Sequence, residues 1–286
     1  MEWSIRPNRK PYPMLLKRVL VAVLLLPVGL AAIYLGGLTF TGLIALIMVL
    51  AAREYVTLFR ASGQEPSRPL VMGGVLLIVL GRSYNGFESG ALMISLLLLA
   101  SMAHHLFRYE RGRDHSGTDF GVTVAGFLYI GWIGAYLVSM RALPEGIGWL
   151  LLVLLAVWFV DSGAYLIGSR YGRRSLSKRL SPRKTWEGYL GGVAFGILGG
   201  ALFGAIIMSL SAPETAITPV RGALLGLLMG TFTILGDLGE SMIKRQAGLK
   251  DSGNLLPGHG GIFDRIDSWL WAGVMGYYAI LLFTSI

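Results

Sequence analysis

Nine apolar runs separated by short polar stretches organise the chain, at 14–35, 38–58, 70–81, 90–107, 120–140, 148–168, 189–210, 221–238 and 268–285. A helix needs about 20 residues to cross about 30 Å of hydrocarbon, so the run at 70–81 is short and crosses only with its flanks or stays partly re-entrant. The pattern predicts an all-α, polytopic integral membrane protein with about nine transmembrane helices. The first run follows basic residues, as a signal sequence does, but it is long and lacks a convincing small-residue cleavage site before Gly36, so it reads as retained. Residues 1–286 then form a single integral membrane domain, with mainly membrane helices over 1–147 and a motif-rich region over 148–286. Polar loops are expected at 169–188 and 239–267.

Composition supports the same class. The chain is 54% hydrophobic and 14% charged, with 40 glycines that follow no three-residue period, which excludes an ordinary soluble globule and a collagen. A formal charge of +9 raises nucleic-acid binding, but the basic residues sit between apolar runs, so topology explains them and no nucleic-acid partner is expected. With a cytoplasmic N-terminus, every Lys and Arg except Arg82, Arg141 and Arg221 falls on the inner side, which supports nine crossings and an outward C-terminus. Losing the third span would invert every later loop and spoil that asymmetry. There is no cysteine, so metal or acid–base chemistry falls to Asp, Glu and His. Gly191, Gly192, Gly196, Gly199 and Gly200 lie within one run, and Gly196 with Gly200 gives a small-xxx-small spacing suited to close helix approach rather than to a phosphate loop.

Several polar groups exceed what packing needs. Asp161 interrupts one apolar run and Asp237 ends another. An unpaired acid at helix centre costs about 2.5 to 3.5 kcal/mol on insertion scales, so both should face a cavity, a basic partner or a cation. The stretch 236–267 packs Asp237, Glu240, Asp251, Asp264 and Asp267 among Lys244, Arg245, Lys250 and Arg265. Carboxylates suit hard divalent cations whose shells phosphate oxygens complete, and Lys and Arg hold the remaining phosphoryl oxygens. Ser241, Lys244 and Arg245 share one face of a helix that ends before Gly248. Beyond it, the glycines and Pro257 of 251–261 favour turns that bring backbone and His259 close to a ligand.

His259 has no second histidine at zinc-ligand spacing, and the adjacent His104 and His105 read as part of a membrane-interface face. In the earlier loop, Arg170, Arg173, Arg174, Lys178 and Arg179 suit anionic membrane lipids, at about 1 kcal/mol each near the surface. Arg183 and Lys184 could secure a nucleotide phosphate, with Trp186 anchoring the loop at the interface.

Three segments carry a specific resemblance. Asp161-Ser162-Gly163-Ala164-Tyr165, the stretch 181–188, and Ser241-x-x-Lys244-Arg245-x4-Lys250-Asp251 followed by Leu256-Pro257-Gly258-His259-Gly260-Gly261-x-x-Asp264-Arg265-x-Asp267 resemble the phosphatidate cytidylyltransferase, or CDP-diacylglycerol synthase, family. The likeness covers at least 161–268 without departure at these positions, while the N-terminal half is similar mainly in hydropathy. It implies a membrane nucleotidyltransferase, active on CTP and phosphatidic acid through catalytic loops on the cytoplasmic side, with release of CDP-diacylglycerol and pyrophosphate. It also implies magnesium, with a second divalent or a monovalent cation such as potassium, and a homodimer in a bacterial inner membrane.

By carry-over, Asp237 and Asp264 are the leading metal and catalytic residues, with Asp161, Asp251 and Asp267 supporting or ligating. Lys244 and Arg245 act catalytically on phosphate, Arg183, Lys184, Ser241, Lys250 and Arg265 bind substrate, and His259 lines the site, where it either donates to pyrophosphate or shapes the turn. The resemblance disfavours a CDP-alcohol phosphotransferase, whose spaced aspartates after Asp-Gly-x-x-Ala-Arg are missing. An ion-coupled transporter would use the same buried acids without consuming CTP. A lipid-binding scaffold explains the basic loop but not the clustered acids, which would repel an anionic lipid.

Overall fold

The computed structural model describes residues 12–255 and 260–285, with side chains from Val23 onward. Its helices are α1 (Tyr12–Leu35), α2 (Gly37–Ala61), α3 (Arg68–Asn85), α4 (Gly90–Glu110), α5 (Ser116–Gly126), α6 (Tyr136–Arg141), α7 (Gly146–Tyr171), α8 (Trp186–Leu210), α9 (Pro219–Gln246) and α10 (Phe263–Thr284). A π-helical turn, Phe127–Trp132, joins α5 towards α6 in one passage, Ser116–Arg141. Among the described residues, seven helical units are long and apolar enough to cross a bilayer: α2, α4, Ser116–Arg141, α7, α8, α9 and α10. The short third run is extended by its flanks into an 18-residue helix, about 27 Å at a rise of 1.5 Å per residue, so its polar ends rather than its length set it apart.

Two expected loops are more ordered than hydropathy implies. Within 169–188 a small antiparallel hairpin forms from β1 (Ser175–Ser177) and β2 (Ser181–Thr185). It leads directly into α8, whose first turn is capped by Thr185 Oγ1, which accepts from Gly188 N at 3.1 Å. The expected loop 239–267 is helical over most of its charged positions: α9 continues to Gln246, and α10 already starts at Phe263. Hydropathy ends these helices early because Glu240, Lys244, Asp264 and Asp267 are charged, yet in three dimensions Lys244 pairs with Glu240 and Asp264, while Asp267 lies near Asp237 and Lys184. Gly248, at φ 68°, follows α9 as the sequence anticipates.

Successive helices run back and forth, so the connections sort to two ends. At one end Arg113 donates to Gly63 O at 2.9 Å, Arg108 pairs with Glu65, and Ser252 reaches Glu54. At the other end stand the three basic residues that break the charge asymmetry, and each is tied down. Arg82 lies 3.5 Å from the Phe87 ring centre and 4.3 Å from that of Trp132, Arg141 donates to Ile33 O at 2.6 Å, and Arg221 donates to Ala216 O at 2.8 Å.

The expected close approach of glycine helices occurs between α7, α8 and α9. A Cβ on Gly200 or Gly222 would overlap the other's carbonyl, one on Gly226 would overlap Gly196 O, and one on Gly192 would stand 2.9 Å from Val160 O. Backbone therefore meets backbone along the α8–α9 seam. His104 is exposed, as an interface residue should be, but His105 is not: it is buried between α4 and α5, where its ring meets Ser101 O at 2.8 Å and Thr123 Oγ1 at 3.3 Å. Burial with two polar partners replaces the interface role expected for it.

Candidate active site

Glycine also brings α9 against α10 at the depth where the acids lie. A Cβ on Gly236 would overlap Asp267 O and stand 2.8 Å from Trp271, so only glycine lets the helices close here, beside Asp237. Asp161 on α7 joins them: Asp161 and Asp267 each lie within electrostatic reach of Asp237 and of Lys184. Lys184, at the end of β2, forms an ion pair with Asp237, and Asp267 Oδ1 accepts from Ser268 N at 2.7 Å.

A second cluster stands alongside. Lys244 Nζ lies 2.5 Å from Glu240 Oε2, one turn back on α9, and 2.6 Å from Asp264 Oδ1 on α10. The other Asp264 oxygen accepts from Ser252 N and Gly261 N at 2.9 Å each and lies 3.0 Å from Ser252 Oγ. Asp264 is thus saturated by donors, whereas Glu240 Oε1 is buried with no hydrogen-bond partner among the described residues.

Both clusters open into one cavity of about 1760 Å³. Its far part is aliphatic, lined by residues such as Leu26 and Leu30 of α1, Leu43 and Leu46 of α2, and Leu151 and Leu154 of α7. Its polar end carries six carboxylates, Asp161, Asp237, Glu240, Asp251, Asp264 and Asp267, against four basic groups, Arg183, Lys184, Lys244 and Arg265. The excess of carboxylate suits a cation. Among the described residues no three acid or histidine side chains converge into a ready-made metal cage.

The model of the cytidylyltransferase family matches residues 16–283. The chain belongs to that family. Within it, the chain is 34% identical to a phosphatidate cytidylyltransferase of Synechocystis sp. over 293 residues, covering 93% of this chain and 96% of the relative. Proteins of the same name from Bacillus subtilis (32% identical; 94% of this chain, 98% of the relative) and Pseudomonas aeruginosa (34%; 94% and 97%) are similar over comparable lengths. Family likeness therefore runs through the N-terminal helices, where hydropathy alone had suggested it.

In this cytidylyltransferase-family chain, all five aspartates singled out from sequence face the one cavity, as do Arg183, Lys184, Lys244 and Arg265. Three other expected substrate contacts do not line it. Ser241 is buried in α9, Lys250 is exposed beyond its end, and Arg245, also exposed, donates to Leu249 O at 3.1 Å on its own helix terminus. A shared helical face is too coarse to separate Lys244 from Arg245, because adjacent residues point about 100° apart. His259 lies outside the described residues. Sequence reasoning gave Glu240 no role and passed over Glu54 and Ser252; the available signals were a Glu four residues before Lys244 and a lone acid inside the second apolar run.

Proposed function

We propose that this chain condenses CTP with phosphatidic acid to give CDP-diacylglycerol and pyrophosphate. The observation that carries the reading is the single cavity that joins an aliphatic wall to a charged end rich in both signs. A diacyl lipid needs the first and a nucleoside triphosphate the second, and few other substrate pairs need both at once.

The lipid phosphate oxygen attacks the α-phosphorus of CTP in line with the bond to the departing pyrophosphate. That phosphate is anionic near neutral pH, so orientation and charge neutralisation dominate over proton abstraction. Lys244, held between Glu240 and Asp264, presents an ammonium group of fixed position to the triphosphate, while Arg183, Lys184 and Arg265 bind the remaining phosphoryl oxygens. Asp237 would hold magnesium together with substrate phosphate, with Asp161 and Asp267 supporting it electrostatically, and the cation would supply neutralisation of charge between the two anionic reactants. Asp251 supports this group from the cavity rim, and a second divalent ion or potassium belongs to the same reading. Asp264, with its oxygens occupied by donors, acts chiefly by holding Lys244 and the segment around Ser252.

The basic-residue asymmetry supports nine crossings, a cytoplasmic N-terminus and polar cavity end and an outward C-terminus, and the bacterial relatives support a bacterial inner membrane. Residues 1–286 then act as one membrane domain, as a homodimer, with the basic hairpin over anionic lipid headgroups. Purified protein supplied with phosphatidic acid and CTP tests the reading: equal amounts of CDP-diacylglycerol and pyrophosphate support it, and CTP left unconsumed with both substrates and magnesium present rejects it.

A further inference from the structure

Glu54 belongs to α2, far in sequence from the motifs, yet its carboxylate organises the segment that bears them. It is only 5% exposed. Oε1 accepts from Ile262 N at 3.1 Å, and Oε2 accepts from Phe263 N at 2.9 Å and from Ser252 Oγ at 2.8 Å. No side chain at Ile262 caps α10, so Glu54 supplies acceptors to N–H groups that a helix start leaves open, and it sets negative charge at the positive end of that helix. Glycines make the room: a Cβ on Gly253 would stand 2.5 Å from Glu54 Oε1, and one on Gly261 would overlap both Ser252 Oγ and Glu54 Oε2.

The Ser252 hydroxyl has one proton and two carboxylate neighbours, Glu54 Oε2 and Asp264 Oδ2. Asp264 Oδ2 already accepts from two backbone N–H groups, so the proton is best given to Glu54, and Ser252 Oγ accepts from Asp264 N at 3.3 Å. Asp264 Oδ1 is left for Lys244. An unbroken series of polar contacts therefore runs from Glu54 through Ser252 and Asp264 to the Lys244 ammonium.

We propose that Glu54 is a positioning residue for the nucleotide: by locking the first turn of α10 and the Ser252 segment it sets where Lys244 meets the triphosphate. The inference rests on Lys244 being a phosphate contact. Glu54→Gln keeps the shape but turns an amide N–H₂ towards Ile262 N or Phe263 N, donor against donor. Ser252→Ala leaves both bonds from Glu54 to α10 and the backbone bond from residue 252 to Asp264, and removes only the hydroxyl that joins Glu54 to Asp264.

The full chain, purified and assayed in lipid-detergent micelles with CTP and phosphatidic acid varied separately, tests this. Glu54→Gln should raise the KM for CTP about fivefold or more and leave that for phosphatidic acid within about twofold; Ser252→Ala should shift CTP alone by a smaller factor, and the double variant should be no worse than Glu54→Gln. A mere loss of folded protein lowers kcat and moves neither KM. A wild-type KM for CTP in Ser252→Ala, or in folded Glu54→Gln, overturns the proposal, and Ser252→Ala alone decides if Glu54→Gln does not fold. Lys244→Ala separates the underlying reading: if its CTP kinetics are normal, Lys244 is no phosphate contact, whatever Glu54 does.

Discussion

Lys244 of α9 and Asp264 of α10 are joined by a 2.6 Å ion pair at the polar end of the cavity, with both side chains largely withdrawn from solvent. Removing one member of a buried pair leaves an uncompensated charge and costs about 3 to 5 kcal/mol. Here Lys244→Ala strands two carboxylates, Glu240 and Asp264. Turnover of Lys244→Ala should fall by about 100-fold or more, with a lower thermal midpoint in detergent. Wild-type turnover in a folded preparation would refute the assignment.

Arg245 is the contrasting neighbour. Its guanidinium turns to Leu249 O and away from the cavity, so Arg245→Ala should keep activity within about threefold of wild type. Arg170→Ala, which removes a basic residue at the end of α7, should be similarly mild and affect lipid-surface binding instead. Side-by-side initial rates check the ranking, and an Arg245 loss equal to that of Lys244 would contradict it.

Asp237 shares its surroundings with Asp161, Asp267 and Lys184. Asp237→Asn removes charge with little change in volume, so it should raise the half-saturating magnesium concentration about tenfold and cut turnover, where Asp264→Asn should mainly cut turnover and stability. Magnesium titrations on the two purified variants decide this, and identical magnesium curves would erase the distinction between the clusters.

Chelation of divalent cations should stop formation of both products together, with recovery on adding magnesium back. Full activity in excess chelator would show that the carboxylate-rich end works without a divalent ion.

Gly226→Ala inserts a methyl group where the α8 backbone leaves no space, and rearrangement around an overpacked site costs about 1 to 3 kcal/mol. Its thermal midpoint should drop, while Gly42→Ala, which meets no atom within 4 Å, should not. Equal midpoints would mean that the seam tolerates a side chain.

The all-helical, membrane-spanning character was legible in hydropathy because lipid demands long apolar runs whatever the tertiary contacts, and seven such units are long and apolar enough to cross among the described residues. The aspartates were legible because charge at that depth needs a reason. What stayed hidden depends on contacts between distant segments. Glu240 and Lys244 neutralise each other on α9, so a charged helix end resembled a loop, and the hairpin of β1 and β2 has too few residues for a periodic signal. Glu54 was invisible as a partner because it acts on Ser252 and Phe263, about 200 residues away. Ser241 and Arg245 matched a motif in sequence, yet the rotation of α9 gives the cavity to Lys244.

The glycine seam between α8 and α9 has a mechanical consequence. Where main chain touches main chain there are no rotamers to absorb strain, so Asp237 is carried on an element whose position is set by direct backbone contact. Accommodation of fatty tails of different length and shape falls to the leucines of α1, α2 and α7, whose side chains can exchange conformers without disturbing the ionic groups.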